Sequence, residues 1–291
     1  MYHYIRDKNK FFPYYNILKK KDYVNQIKNF SKFGFICSYD ELFTNSNKFL
    51  LTFDDGFKDH IYAAEILKKH NGIGIFFIPT YPLTKNIILD VHKIHLILGK
   101  IKSFEALDEL NKYINKEKIF NFYDNNDISK YKSAYKNSND EIYKKQFKKI
   151  MNYYGDPKLK NKILNYLLKN FEINIKPKDY YLNKKEIKYL DSLGMIVGSH
   201  SESHTLLSKL SYKKQLAELK NSKIFLERII NKNVDTFCYP YGRKISYNSN
   251  TLKILKKLKY KLAFSIEHRN ISLTDLKKKP YELPRYDCSL F

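Results

Sequence analysis

The chain has 291 residues, 43% hydrophobic and 16% aromatic, which is enough apolar content for a large core and excludes general disorder. Its formal net charge is +24, but the lysines are spread along the chain rather than gathered in one block, so most solvate helix faces. No zinc-finger, RNA-recognition or basic-zipper pattern occurs, and no nucleic-acid partner is expected. Three cysteines without CxxC spacing give no disulfide framework and fit a reducing compartment. No run approaches the ~18 apolar residues of a transmembrane helix. The opening MYHYIRDKNKFFPYY lacks signal-peptide character, so the expectation is a cytoplasmic protein.

In chain order, residues 22–33 read as a helix leading to an extended piece over 33–37. KFLLTF (48–53) is a short apolar strand stopped by Asp-Asp-Gly. HIYAAEILKKHNG has apolar residues at helical spacing, lysines in its last turn and Gly72 as its stop. IGIFFIP (73–79) is a second buried strand, so strand–helix–strand with short links predicts a parallel βαβ unit. From 89 to 180 the pattern turns helical and polar, as in an inserted subdomain, with its middle (125–141) expected to be a mobile loop. The α/β pattern resumes with Asn183 as an N-cap and Glu186 completing a capping box. MIVGSH is a strand, and a long helix capped by Ser211 follows. VDTFCYPYG, NTLKILKKLKY and KLAFSI then read as strand, helix and strand. A parallel barrel or strongly curved sheet is the expected architecture.

In such folds active sites lie at the carboxyl ends of strands, where three groups of residues fall. Asp54 and Asp55 adjoin at the end of a buried strand, a costly arrangement for two like charges unless a cation is near. An ordinary Asp-Gly turn is the plainer alternative. His200 and His204, four apart behind another strand, have the spacing of a metal-binding pair. Two histidines and one carboxylate would leave open coordination positions, and the other aspartate could accept a proton from water held there. Residue types alone leave open which aspartate does which. In FCYPYG, Pro240 fixes the backbone and Gly242 permits a tight turn, so N–H groups there could face a developing oxyanion.

TFDDG, HSESH and YPYG, in this order and at these strand ends, together resemble the polysaccharide deacetylase superfamily, the NodB-homology fold of carbohydrate esterase family 4, in its Tyr-Pro-Tyr-Gly branch. The flanking MYHYI, FKDHIYAAEILKKH and NSKIFLERI are also similar to the family, and LDVHKIHLIL resembles a segment of some surface-glycan members. The resemblance covers about 1–80 and 180–291. It implies an α/β fold, a distorted (β/α) barrel with an inserted helical subdomain: one domain over 1–291, interrupted by an insertion at 89–180. It further implies a divalent metal, usually Zn2+, with Co2+, Ni2+, Mn2+ or Fe2+ also fitting, held by Asp55, His200 and His204. Asp54 would be the general base and the Tyr241 backbone N–H an oxyanion donor.

The chain departs from the family at Cys238, where many members carry an arginine that steers the base; Arg285, in LPRYD, is the expected replacement. No Leu-x-His motif is evident, so the proton donor is sought first at His268, just beyond KLAFSI, and second at His95. His3 would line the pocket or cap the first strand. With no tryptophan in the chain, any aromatic wall comes from tyrosine or phenylalanine. The implied activity is removal of acetyl from an N-acetylated sugar, expected on a nucleotide- or lipid-linked precursor of bacterial surface polysaccharide or lipopolysaccharide. The positive charge suits a diphosphate carrier or an anionic membrane face. Competing readings are a hydrolase of non-sugar amides or imides, a non-heme iron oxygenase, and a non-catalytic, metal-stabilised glycan-binding module.

Overall fold

A computed structural model describes residues 1–43, 48–119, 122–123, 125–136 and 138–291. They form two compact units: residues 1–7, 17–87 and 177–291 make one, and residues 8–16 and 88–176 the other.

The first unit is built on a parallel sheet in the order β1 (Leu51–Asp54), β2 (Gly74–Ile78), β3 (Ile196–Ser199), β4 (Thr236–Cys238) and β5 (Leu262–Phe264). Every residue of β1, β2, β4 and β5 is buried, which is why these segments read as continuous apolar runs rather than alternating ones. Phe53 and Phe76 stack across β1 and β2 at 4.4 Å. Burying such a ring contributes on the order of 2–3 kcal/mol, so this layer is the main source of the sheet's stability.

The sheet curls, and backbone segments extend both edges. The Tyr2 N–H donates to the Thr52 carbonyl (2.8 Å) and the Asp54 N–H to the Tyr2 carbonyl (2.9 Å). At the other edge the Ser265 N–H donates to the Leu283 carbonyl (2.8 Å), and the Cys288 N–H returns to the Met1 carbonyl (3.1 Å). These contacts complete the distorted barrel. The helices Asp59–Lys69, Lys184–Ser192 and Tyr212–Ile230 cover β2 and β3. Both bonds of the Asn183–Glu186 capping box are present, and the Ser211 hydroxyl accepts the Lys214 N–H at 3.5 Å. The first helix runs over Lys20–Ser31, about one half-turn earlier than its hydrophobic spacing indicated, because Lys19 is already extended and acts as its N-cap.

The second unit is helical, with one isolated bridge between Tyr123 and Gly155 among the described residues. Ile94, Leu110, Phe122, Phe147 and Leu164 are in its core. Residues 8–16 join it through the Tyr14 N–H on the Gly99 carbonyl (3.0 Å) and the Tyr15 ring against Gly99, a contact without a periodic signal in sequence. The loop expected over 125–141 is instead structured where it is described. Asn125–Lys130 is a helix, Tyr131 and Ala134 are buried, and Asp140 pairs with Lys148 at 2.7 Å; Asn137 lies outside the described residues. Short polar turns carry too few apolar residues to register as helix, and tertiary burial decides them. No helix among the described residues is long and apolar enough to cross a membrane.

Candidate active site

Asp54 is the last residue of β1, and the chain turns immediately after it. Asp55 (φ 81°) and Gly56 (φ 63°) are both left-handed, so the adjacent carboxylates leave the strand in different directions. His200 follows β3, while Ser201 (φ 63°) and His204 (φ 55°) bend the loop that returns the second imidazole. Tyr241 (φ 63°) and Gly242 (φ 68°) make the corresponding turn after β4. A Cβ on Gly242 would meet the Ile266 side chain at 2.4 Å, so the turn needs glycine for space as well as for φ. Each left-handed non-glycine residue costs about 1–2 kcal/mol, and four of them surround one small volume, the clustering expected of a functional site.

Asp54 is wholly engaged by protein. Arg285 forks onto it, Nη1 donating to Oδ1 at 2.7 Å and Nη2 to Oδ2 at 2.9 Å. The guanidinium is itself held by the Ser265 carbonyl (3.2 Å), the Thr52 hydroxyl (3.0 Å) and the Cys238 sulfur (2.9 Å). Burial pushes the Asp54 carboxyl up, but the Arg285 charge and hydrogen bonds outweigh it and hold the group well below the usual carboxylate range. Burial also raises the Cys238 thiol, which stays protonated and donates to Asp54 Oδ2 at 3.4 Å.

Asp55 faces imidazoles instead. Its Oδ1 lies 3.5 Å from His200 Nε2 and 3.3 Å from His204 Nε2, and its Oδ2 lies 4.0 Å from His3 Nε2. His200 Nδ1 donates to the Cys238 carbonyl at 2.8 Å, which fixes the tautomer and leaves the Nε2 lone pair towards Asp55. Two buried groups have the donors for a metal ion: Asp54, His200 and Cys238, or Asp55, His200 and His204. The first is already occupied by a guanidinium and a protonated thiol. In the second the donor atoms are spaced as bound ligands would be, because tetrahedral bonds of about 2.0–2.1 Å put ligands roughly 3.4 Å apart. The donor set and its spacing therefore fit a divalent cation at Asp55, His200 and His204.

Sequence reasoning missed three contributors. Thr52 and the Ser265 carbonyl orient Arg285, and buried His60 holds the site from below by donating Nε2–H to the His3 carbonyl at 2.9 Å. Their only signal is proximity to strand ends, which many residues share. Tyr241 is half-buried with its ring 5.2 Å from that of His204, so a tyrosine does stand at the site's edge. His268 is exposed and stacks on Tyr286, the residue after Arg285, at 6.3 Å. His95 belongs to the helical unit, 5.9 Å from the ring of His92.

Comparison with known proteins agrees with this geometry. The Polysaccharide deacetylase family model matches residues 123–263, a range that includes His200, His204 and Tyr241. The Bacillus subtilis polysaccharide deacetylase-like protein YxkH is 27% identical over 88 residues, and that match spans 30% of this chain and 30% of the relative. The deacetylase PplD of Streptococcus pyogenes superposes over 98% of this chain and 88% of its own (TM-score 0.58, 18% identity). The polysaccharide deacetylase BC0361 of Bacillus cereus superposes over 98% of this chain and 62% of its own (TM-score 0.55, 16% identity). Identities this low establish the fold alone. Taken with the ordered motifs and the family match, they identify the chain as a member of the polysaccharide deacetylase family, hydrolases of carbon–nitrogen bonds other than peptide bonds.

Proposed function

We propose that the chain is a metal-dependent N-deacetylase that hydrolyses the acetamide of an N-acetylated sugar. The observation that carries this reading is the division between two neighbouring carboxylates: Asp54 is neutralised by Arg285, while Asp55 meets His200 and His204 at ligand spacing. A divalent metal held by Asp55, His200 and His204, zinc by preference for this donor set, would polarise the amide carbonyl and lower the pKa of water. Co2+, Ni2+, Mn2+ or Fe2+ suit the same nitrogen and oxygen donors.

The protein's own groups supply the rest. Asp54, kept ionised and oriented by its arginine, accepts the proton of the attacking water. The Tyr241 N–H, in its left-handed turn, donates to the carbonyl oxygen as that oxygen gains charge. His268, stacked on the residue that follows Arg285, gives the departing amine its proton, and acetate is released. In this reading residues 1–291 act as a single deacetylase domain in which 89–180 is an insertion.

The proposed substrate is a nucleotide- or lipid-linked sugar of surface polysaccharide or lipopolysaccharide synthesis, met in the cytoplasm or at the inner membrane face. The net charge of +24 favours a diphosphate-bearing carrier or an anionic surface. The test is acetate release by the purified, metal-loaded protein from nucleotide- and lipid-linked N-acetyl sugars, with and without chelator. Release that chelator abolishes is expected; no release from any of them, with metal demonstrably bound, would end the reading.

A further inference from the structure

The loop that carries both histidines is strained, with Ser201 and His204 left-handed and only two residues between them. One buried carboxylate two turns into the helix Tyr212–Ile230 holds those two residues. Glu218, 9% exposed, accepts the Glu202 and Ser203 N–H groups on Oε2, both at 2.9 Å, and the Ser203 hydroxyl on Oε1 at 2.7 Å. Four residues along the same helix, Ser222 Oγ meets Ser199 Oγ at 2.7 Å, fastening the end of β3 just before His200. The other side of the loop is pinned by the exit from β2: the Thr80 N–H donates to the Ser201 carbonyl (3.3 Å) and the Tyr81 N–H to the Glu202 carbonyl (2.9 Å). Inside the loop the His204 N–H donates to Ser201 Oγ at 3.1 Å.

A glutamate is buried at this cost only where donors match its oxygens, and every hydrogen bond shown for this one comes from the two residues between the imidazoles. We propose that Glu218 is a positioning residue for the cation site: by fixing the backbone of Glu202 and Ser203 it sets the separation of the His200 and His204 nitrogens. This rests on the reading that Asp55, His200 and His204 hold a divalent metal. Glu218 touches neither substrate nor metal and acts through the loop.

The test uses the full chain and Co2+ alone, comparing wild type, Glu218→Gln and Ser203→Ala. Cobalt affinity is measured by chelator competition, the coordination by the visible d–d spectrum, and fold stability by thermal unfolding without metal. Glutamine turns an amide NH2 towards the loop's donors, so Glu218→Gln is expected to weaken cobalt binding about 10–100-fold, with an altered d–d band. Ser203→Ala removes one of the three bonds and should lose less, in the same direction. It also supplies the answer if Glu218→Gln does not fold. Wild-type affinity and spectrum in the foldable variants, whatever happens to their melting temperatures, would overturn the positioning role alone. A wild-type protein that binds no cobalt would overturn the metal reading itself, and this inference with it.

Discussion

The two aspartates of one strand end inhabit opposite electrostatic worlds. Asp54 sits against a fixed cation, with its charge met by a bidentate guanidinium and two further side chains, all buried. Asp55, one residue on, faces three imidazoles, which are neutral at their ordinary pKa around neutral pH. The contrast teaches that the protein neutralises one carboxylate itself and arranges lone-pair donors around the other. A single left-handed residue accomplishes the split, since an extended Asp55 would point to the opposite face of the sheet.

The largest effects should come from removing the defining atom of each half. Asp55→Ala is expected to lose metal and activity together, as read by metal analysis of the purified protein and by acetate release. Asp54→Asn should keep the metal and lose rate by about 10²–10⁴-fold, the range for a positioned general base. Equal metal loss in both variants would erase the division of roles.

Next in size is the arginine clamp. Arg285→Met leaves Asp54 buried and uncompensated, and breaking a buried pair in this way costs about 3–5 kcal/mol. The double variant Asp54→Asn, Arg285→Met should recover much of that stability, because the orphaned charge is gone. A denaturant double-mutant cycle measures the coupling; additive losses would mean that the arginine stabilises the barrel by packing rather than by charge.

How far all this could be read in advance differs between the halves as well. The five strands were legible because a parallel strand buried on both faces is a short apolar run, as in Gly74–Ile78. Asp55, His200 and His204 were legible because each stands directly at or behind such a run, and a metal site needs a small set of residue types. Arg285 was readable only as an arginine near the last strand; its approach to Asp54 across 231 residues of chain depends on how the sheet curls. The Cys238 thiol and the Thr52 hydroxyl had no signal, since short polar side chains in strands are common and only packing turns them towards a guanidinium. In the helical unit the amphipathic Ser103–Lys116 follows its 3.6-residue period, whereas Asn125–Lys130 buries none of its residues and so offers no period to read.

The pH dependence of stability should separate the halves at a smaller scale. Asp54 has its folded pKa depressed, so its contribution is complete above the unfolded carboxylate value and is lost only as pH falls through the acid range. His60, which carries the His3 backbone on the Asp55 side, is lowered to about 4 by burial. The folded protein therefore prefers it neutral. The associated stability is complete above an unfolded pKa of about 6.5 and falls by up to about 1.4 kcal/mol per pH unit between there and about 4. Unfolding of the metal-free protein from pH 7 to 4 should show this slope. His60→Asn, whose amide can still donate to the His3 carbonyl, should flatten it; an unchanged slope would assign the acid sensitivity to another group.

The smallest expected effect concerns the residue that divides the two halves. Asp55 combines a buried carboxylate with a φ of 81°, so in the absence of metal it carries backbone strain along with the desolvation of its charge. Glycine accepts that φ without strain and removes the carboxylate, although it adds chain entropy to the unfolded state. The strain relief, about 1–2 kcal/mol for a left-handed residue, exceeds the entropic cost of about 0.5–1 kcal/mol. Asp55→Gly should therefore melt slightly higher than wild type when both are metal-free, while Asp55→Ala, which keeps the strain, should not reach it. Adding metal should reverse the order, because only the wild type gains binding energy on folding. If Asp55→Gly melts lower in both conditions, the turn after β1 is held by contacts of the carboxylate within the protein, and the contrast between the two aspartates is weaker than their partners indicate.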